Sequence, residues 1–394
     1  LLFLLLGVNA LLTPMNGLRL GSFMSLSDVL LVAAAPVVMA RQLLSPAATF
    51  TQRFRPFLTA LGVIILGGLI AAFVSSDSQA GIPDLIRFTL STVGVLLLVA
   101  AWAPSRREVR VLAWALSLGA ATSALVGLAR LSSIGRPAGL ATHPNHLGMT
   151  SMLSLGTAFG LAMTSKGLQR KVAGVLSILL VAGLLVSGSR AALFGALVMA
   201  LTFLVVTHNG RTIRWYLSLC APLLCAVLLG VVHLPTTNAF TRLFGDDPSA
   251  AASNRDRAEA RAESFDQIRA RPITGSGFNF SRTAHSLYLQ LWVSAGLLGL
   301  FGLLALLLLT IGVLLLGARA HDPLLVGMAA SYLGYLAAGV ATNILWDRYV
   351  WLHLALTMAL AALASSRVRM TDGDTAANIN RVRIFSSDVT LRSG

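Results

Sequence analysis

Charged side chains are scarce in this chain. Only 11% of its 394 residues are Asp, Glu, Lys or Arg, whereas 56% are hydrophobic. A soluble globular protein carries about twice that share of charge, so the soluble class is excluded. Repeated apolar runs of about 20 residues and a mean hydropathy of +0.78 instead predict an all-α, polytopic integral membrane protein.

Acidic residues are scarcer still, because 15 of them face 30 basic residues and leave a formal net charge of +15. In a soluble chain this excess would indicate nucleic acid as a partner. Here the basic residues stand at the ends of apolar runs, where they set membrane topology. We therefore expect membrane lipids, and no nucleic acid, around this protein.

Lysine, cysteine and nucleotide motifs are also nearly missing. The two lysines, Lys166 and Lys171, share one loop, and the two cysteines, Cys220 and Cys225, lie five residues apart inside one apolar run. Buried apolar thiols at this spacing indicate core residues rather than a metal or redox site. No P-loop, dinucleotide fingerprint or HExxH motif occurs, so ATP hydrolysis and zinc chemistry have no support.

The apolar runs predict about twelve transmembrane helices. They cover residues 1–14, 26–41, 57–75, 84–103, 109–131, 145–164, 171–187, 190–208, 213–234, 286–316, 323–344 and 350–366. We expect the first run to be a truncated first helix, with residues missing before Leu1, rather than a signal peptide. The predicted organisation is helices one to nine in 1–234, a loop in 235–284, helices ten to twelve in 285–366, and a polar tail in 367–394.

Basic residues alternate between the loops. Loops after even-numbered helices hold most of them, including Arg53, Arg55, Arg106 and Arg107, whereas the short loops after odd-numbered helices hold about one each. The single arginines of those short loops are Arg19, Arg87, Arg136, Arg190 and Arg348. The positive-inside rule then predicts that both termini are cytoplasmic and that the odd-numbered loops, with 235–284, lie outside.

The long outside loop contains a predicted helix. The stretch RDRAEARAESFDQIRARP should begin after an N-cap at Ser253 or Asn254 and end at Pro272. We expect the helix to rest on the membrane domain through a thin apolar stripe. The predicted stripe consists of Ala258, Ala262, Phe265 and Ile268.

Arg190 is the only ionisable residue between Lys171 and His208. It follows Ser187, Gly188 and Ser189, so Gly188 can form a tight turn and Ser189 can cap the next helix. A cation in the first helical turn opposes the helix dipole. An anion held by Arg190 together with the helix N-terminus satisfies both groups, so we predict an anion site here.

Two further outside segments carry similar groups. The segment GRPAGLATHPNHLG supplies Arg136, His143 and Asn145 as candidate substrate-binding residues, although Asn145 could simply cap the following helix and His146 is interpreted as structural. The second segment runs from Arg257 to Tyr288 and contains Arg261 and His285. Arg257 and Arg261 stand one helical turn apart, and such like charges repel unless an anion or acid intervenes.

These groups together predict a lipid-linked pyrophosphate as substrate. Outward arginines neutralise the charge that develops on a departing pyrophosphate, and a histidine such as His285 takes the proton of an acceptor hydroxyl. The carboxylate pair that glycosidases require is missing from the short loops.

The same segments resemble the bacterial O-antigen ligase and polymerase superfamily. The resemblance rests on GRPAGLATHPNHLG, on SGSRAALFG, and on RAEARAESFDQIRARPITGSGFNF followed by AHSLYLQLWVSAGLLGL. It implies a GT-C-like, inverting and metal-independent glycosyltransferase of the Gram-negative inner membrane, without a cofactor, that uses an undecaprenyl-pyrophosphate-linked glycan on the periplasmic side.

The resemblance also implies roles for individual residues. Arg190 and Arg257 match arginines that hold the pyrophosphate, and His285 matches a histidine proposed to act as base or to orient the acceptor. Many relatives carry tryptophan where this chain has Arg261, so either arginine of that pair is a candidate for the pyrophosphate contact. Tyr288 follows His285 in the same motif as a candidate substrate-binding residue.

Three functions follow from these residues. The first is an O-antigen ligase, which joins the polysaccharide to a lipid A–core acceptor and is compatible with one modest outside loop. The second is an O-antigen or exopolysaccharide polymerase that uses the same donor. The third, from another class, is a lipid or glycan transporter, although transporters usually place their ionisable groups at the middle of the bilayer.

Overall fold

The computed structural model describes residues 1–20, 24–44, 48–75, 78–130, 136–207, 210, 248–278 and 284–366. Within these ranges the chain is an all-α bundle with one short hairpin. Nine helices are long and apolar enough to cross a membrane. The predicted class, an all-α polytopic membrane protein, is therefore confirmed.

The helices follow the apolar runs along the chain. Their bounds are α1 Leu2–Leu12, α2 Leu26–Leu44, α3 Ala48–Val74, α4 Ser78–Thr89, α5 Val95–Trp102, α6 Arg106–Ala129, α7 Pro144–Thr164, α8 Gly167–Val186, α9 Arg190–Thr207, α10 Pro248–Ala270, α11 Leu287–Arg319, α12 Pro323–Ala338 and α13 Arg348–Ser366. A π-helical turn, Leu90–Gly94, joins α4 to α5. Two antiparallel strands, β1 Arg19–Leu20 and β2 Met24–Ser25, precede α2.

Eleven of the twelve predicted apolar segments correspond to described helices. The ninth, 213–234, lies outside the described residues, as do both cysteines and the tail 367–394. The predicted division of the chain at 234, 284 and 366 stays a prediction, since all three boundaries fall in or next to residues that the structure does not describe.

Close contacts between small residues hold α12 between α7 and α9. A β-carbon added at Gly195 of α9 would lie 2.5 Å from the carbonyl oxygen of Gly334 in α12. One added at Gly327 would lie 2.2 Å from the carbonyl oxygen of Gly156 in α7. Small residues of this kind let helix backbones approach closely in membranes. They fix the start of α9, and hence Arg190, against the end of α12.

Arginines contact different partners at the two ends of the bundle. At one end, Arg106 pairs with Asp322, and Arg110 donates to the hydroxyl of Ser165 at 2.7 Å. At the other end, Arg136 contacts the carbonyl of Ser187 and Arg348 pairs with Asp28. The arginines of loops after even-numbered segments thus lie at one end of the bundle and those after odd-numbered segments at the other, as the sequence predicts. Which end faces the cytoplasm stays a prediction.

The helix of the long loop, α10, differs from the predicted one at its start. It begins at Pro248, so Ser253 and Asn254 lie inside it rather than at its N-cap. Its end at Ala270, just before Pro272, is as predicted. The N-cap prediction was wrong because the preceding Pro-Ser-Ala-Ala-Ala stretch itself extends the helix, with proline favourable in a first turn.

The buried face of α10 also differs from the predicted stripe. Ile268 is buried, but Ala258, Ala262 and Phe265 are exposed. The other buried and half-buried positions that the structure describes in this helix are polar or small, and they are Ser253, Arg257, Ala260, Ser264 and Gln267. This face points Arg257 inward, whereas a purely apolar stripe would have turned it towards solvent.

A kink in α11 anchors the end of α10. Gly296 has φ 62° and ψ −155°, a backbone conformation that is essentially confined to glycine. The turn after α10 inserts at this point, where the Leu297 amide donates to the Ile273 carbonyl at 3.1 Å and the Ser276 amide donates to the Val293 carbonyl at 2.6 Å. The kink thereby holds the C-terminal end of α10 against the transmembrane bundle.

We expect Gly296→Ala to destabilise the protein. A β-carbon there would lie 1.9 Å from the Ile273 carbonyl oxygen, and the backbone strain alone costs about 1–3 kcal/mol. Thermal unfolding of the purified protein in detergent measures the loss. Gly312→Ala in the same helix is the matched control, because nothing lies within 4 Å of its added β-carbon. Equal melting temperatures for the two variants would contradict this account of the kink.

Candidate functional site

A tight turn positions Arg190 at the first residue of α9. Gly188 has φ 63°, and the Ser189 hydroxyl accepts a hydrogen bond from the Ala192 amide at 3.4 Å. Both features are those that the sequence predicts for this turn. The Arg190 side chain is half-buried, and as the first residue of α9 it stands at the end of that helix.

Arg190 lies in a cleft between α9 and α10. Its guanidinium donates to the side-chain carbonyl of Asn254 on α10 at 2.5 Å. The cleft has a volume of about 400 Å³ and is also lined by Arg257 and Arg261 of α10. Phe194 and Val340 belong to its apolar part. The structure thus brings Arg190 together with Arg257 and Arg261, which are far from it in the sequence.

The cleft concentrates positive charge. Three arginines line it, and the described residues that line it include no carboxylate. Three guanidinium groups around one volume repel each other, and a multivalent anion between them removes that repulsion. Arg257 and Arg261 both line the cleft. The geometry therefore allows either arginine, or both, to contact the anion.

Asn254 is a cleft residue that the sequence did not reveal as one. Its amide accepts from Arg190 and lines the same volume. From the sequence it was read only as a possible N-cap, because Asn is common at helix starts. Its place one turn before Arg257 and Ala258 on the helix was the available signal, since residues three and four apart share a face.

His285 is close enough to Arg257 of the cleft to feel its charge, but it is not among the lining residues of the cleft. It has φ 49°, a left-handed conformation that is unusual for a residue with a side chain. Burial lowers the pKa of His285 below its ordinary value, the positive charge of Arg257 lowers this pKa further, and Asp256 partly opposes the shift. These effects favour the neutral form of the imidazole.

Backbone hydrogen bonds fix His285 relative to the cleft. The Ala284 amide, just before it, donates to the buried side chain of Gln290 at 2.9 Å. The Leu287 amide donates to the carbonyls of Gly339 at 2.7 Å and Thr342 at 3.0 Å. The segment between these carbonyls contributes Val340 and Ala341 to the cleft. The same segment therefore holds the backbone next to His285 and forms part of the cleft wall.

Arg136 braces the turn that carries Arg190. Its guanidinium donates to the Ser187 carbonyl through Nη2 at 3.0 Å and through Nε at 3.3 Å, and to Oδ1 of Asn145 at 3.1 Å. It does not line the cleft. Both Arg136 and Asn145 therefore act, in this structure, on the position of the turn; a direct contact with substrate stays a prediction.

His143 and Tyr288 also make contacts within the fold. His143, rather than Asn145, is the N-cap of α7, and its Nδ1 accepts from the Asn145 amide at 3.1 Å. The capping role considered for Asn145 was therefore wrong, because the helix starts at the proline at position 144, two residues earlier than a cap at Asn145 would place it. The Tyr288 hydroxyl donates to the Leu336 carbonyl at 3.0 Å. Neither residue lines the cleft.

Within the described ranges, no group of three or more His, Cys, Asp or Glu is placed to hold a metal ion. Metal-independent chemistry stays a prediction from the sequence.

The fold and the cleft define a class, namely a multi-pass helical membrane protein with an arginine-lined site at one end of its bundle. A comparison with known families adds a similarity to this description. Residues 175–304 match the family described as O-antigen ligase, and this stretch includes Arg190, Arg257, Arg261 and His285. This match to about a third of the chain supports the resemblance to the O-antigen ligase and polymerase superfamily that the motifs indicated. A comparison with curated proteins finds no match.

We expect Arg136→Lys to destabilise the protein even though the charge is kept. Lysine cannot reproduce the fork that contacts Ser187 and Asn145, and such charge-assisted bonds contribute about 1–3 kcal/mol. Chemical unfolding in detergent measures the change. Arg107→Lys is the control, because Arg107 is exposed near the opposite end of the bundle. Unchanged stability with impaired substrate binding would contradict a bracing role.

We expect Arg257→Gln to raise the pKa of His285. Removing a neighbouring positive charge makes the imidazolium form less unfavourable, so the pKa moves up towards the ordinary value of about 6.5. An NMR titration of histidine-labelled protein, assigned with His285→Gln, measures the midpoint. Arg269→Gln is the control, because Arg269 is exposed on the same helix and pairs with Asp266. An unchanged midpoint in Arg257→Gln would overturn the electrostatic link.

Proposed function

We propose that the protein is an O-antigen ligase. In this proposal it transfers polysaccharide from undecaprenyl pyrophosphate to lipid A–core on the periplasmic face of the inner membrane. One observation carries the proposal, namely the cleft in which Arg190, Arg257 and Arg261 meet without a lining carboxylate among the described residues. Pyrophosphate is the leaving group that such a cleft suits best, because guanidinium forks pair with phosphate oxygens.

The proposed reaction is a single displacement at the anomeric carbon of the donor. The acceptor hydroxyl oxygen forms the new bond to that carbon while the bond from the carbon to the pyrophosphate oxygen breaks. The leaving pyrophosphate takes the bonding electron pair, and its growing charge is stabilised by the arginines. Attack from the face opposite the leaving group inverts the configuration. The positive charge comes from arginine side chains, so the proposed mechanism needs no metal ion.

His285 is the proposed base. A histidine accepts a proton only in its neutral form, and burial together with Arg257 lowers the pKa of His285 and favours that form. Arg257 would then have two roles, since it contacts the pyrophosphate and keeps the base unprotonated. His285 could alternatively orient the acceptor hydroxyl, and the loss of activity on its replacement is expected in either role.

The position of the cleft supports an enzyme over a transporter. Its lining comes from the ends of α9 and α12 and from α10, at one end of the bundle. A separate cavity at the other end is lined by Thr207, Gly317 and Asp322 and shares no lining residue with the cleft. The distribution of basic residues supports the orientation, with both termini cytoplasmic and the cleft periplasmic.

Arg190→Gln and Arg257→Gln should each reduce transfer strongly. Removing one group that stabilises the developing negative charge costs about 10²–10³-fold in rate. The measurement is transfer by the purified protein, supplied with undecaprenyl-pyrophosphate glycan and lipid A–core, with the melting temperature as a check on folding. Arg269→Gln should retain full activity as the exposed control on α10. Near-normal transfer by either cleft variant would remove that arginine from the proposed mechanism.

The ligase and polymerase reactions differ only in the acceptor. The same assay with lipid A–core in one arm and a second carrier-linked glycan in the other separates them. We expect product on lipid A–core, because the chain is compact with one modest outside loop. Product on the carrier alone would replace the ligase proposal by a polymerase.

A further inference from the structure

Two further cavities adjoin each other away from the arginine cleft. One is a polar chamber of about 210 Å³ lined by Asn16, Arg19, His146 and Asp347, among others. The second is a mostly apolar groove of about 400 Å³ between α2 and the α4–α5 helix. Asp28, Arg87 and Arg348 line both cavities, so the two meet at these residues. Neither cavity shares a lining residue with the cleft.

The chamber lies at the same end of the bundle as Arg190. The Thr142 amide, in the loop that also carries Arg136, donates to the side chain of Asn16 at 3.0 Å. Arg136 in turn contacts the Ser187 carbonyl beside the Arg190 turn. The two sites are thus joined by one loop and lie at one membrane surface.

A hydrogen-bonded wall closes one side of the chamber. Asp347 accepts from the Asn16 amide at 2.8 Å and lies 3.2 Å from Nδ1 of His146. The Tyr349 hydroxyl lies 3.3 Å from the same nitrogen. The carboxylate of Asp347 is therefore already satisfied by neighbours. The wall presents fixed polar groups of the kind that recognise hydroxyls.

Positive charge is in excess at the boundary between chamber and groove. Among the described residues that line the chamber, three arginines, Arg19, Arg87 and Arg348, face two carboxylates. One of these, Asp28, pairs with Arg348 at 2.5 Å, and the other is Asp347. Arg87 is exposed and close enough to Arg348 for the two charges to repel. A phosphate group at this boundary would relieve that repulsion.

The groove continues from this boundary along apolar surface. Its walls are Leu31, Val32 and Ala35 of α2, and Leu90, Gly94 and Leu98 of the helix opposite. The side chains of Val32 and Leu90 are each 66% exposed. From Arg87 to Leu98 the helix rises about 16 Å at 1.5 Å per residue, which is enough for a substantial part of an acyl chain.

The π-helical turn shapes this groove. Leu90 and Gly94, the first and last residues of that turn, both line it, and nothing lies within 4 Å of a β-carbon added at Gly94. Single π-turns inside helices often occur at functional sites. A larger side chain at Gly94 would therefore enter the groove without disturbing the packing of the helix.

We propose that the chamber and groove together bind a phosphorylated lipid. The lipid phosphate contacts Arg87 at the boundary, its polar headgroup occupies the chamber, and a hydrocarbon chain lies along the groove. If the proposed function holds, this lipid is the acceptor, because the donor pyrophosphate occupies the separate cleft of Arg190. The binding itself does not depend on that function.

Lipid binding to the full chain in detergent, followed by native mass spectrometry, tests the proposal. The probes are dioleoyl phosphatidic acid, dioleoylglycerol with the same chains but no phosphate, and inorganic phosphate. We expect phosphatidic acid to bind more tightly than either of the other two. Arg87→Gln should weaken it about tenfold, as the loss of one charge-assisted contact predicts.

Gly94→Leu should weaken the same binding by filling the groove. Gly312→Leu is its matched control, since that position is equally open on another helix. Arg269→Gln, an exposed position on α10, should leave phosphatidic acid binding unchanged. Equal binding of phosphatidic acid and dioleoylglycerol, or binding unaffected by both Arg87→Gln and Gly94→Leu, would overturn the site. Binding of inorganic phosphate as tight as that of the lipid would overturn the lipid assignment.

The role as acceptor site has its own readout. In the transfer assay, Arg87→Gln should raise the KM for the lipid acceptor and leave the KM for the donor unchanged. Impaired phosphatidic acid binding without this change would limit the site to a bound membrane lipid and contradict the acceptor role. Failure of transfer in the unaltered protein would instead contradict the proposed function and leave the binding result intact.

Discussion

The contact between the Ile273 carbonyl and the kink at Gly296 supports the rest of the site. It lets the turn after α10 enter a transmembrane helix, and the Trp292 indole reinforces it by donating to the Pro272 carbonyl at 3.0 Å. A polar helix such as α10 has little apolar surface with which to bind a membrane domain. Its position over α9 therefore depends on this anchor, and with it the meeting of Arg257 and Arg190.

The local features of the site were predictable because they depend on neighbouring residues. The turn at Gly188, the cap at Ser189 and the end of α10 before Pro272 all follow from residues within one helical turn. The fold class follows from the length of the apolar runs alone. The start of α10 and its buried face were predicted wrongly. The start was wrong because Pro248 and the small residues after it extend the helix. The face was wrong because a rule about apolar stripes fails where the buried face carries Arg257 and small polar residues.

The contacts of the short-loop arginines were not predictable, because they depend on pairs distant in the sequence. All five looked alike as single cations in short outside loops. In the structure Arg190 joins the cleft of α10, Arg136 braces a turn 51 residues away, and Arg19, Arg87 and Arg348 gather at a separate chamber. Asp347 likewise gave no local signal, since its partners Asn16 and His146 come from the other half of the chain.

The measurement that tests the central claim most directly is a cryo-electron microscopy structure of the full chain with undecaprenyl pyrophosphate. The account predicts the pyrophosphate in the cleft, with its oxygens about 2.7–2.9 Å from guanidinium nitrogens of Arg190 and of at least one of Arg257 and Arg261. Pyrophosphate density at Arg87 and Arg348, with the cleft of Arg190 empty, would contradict it.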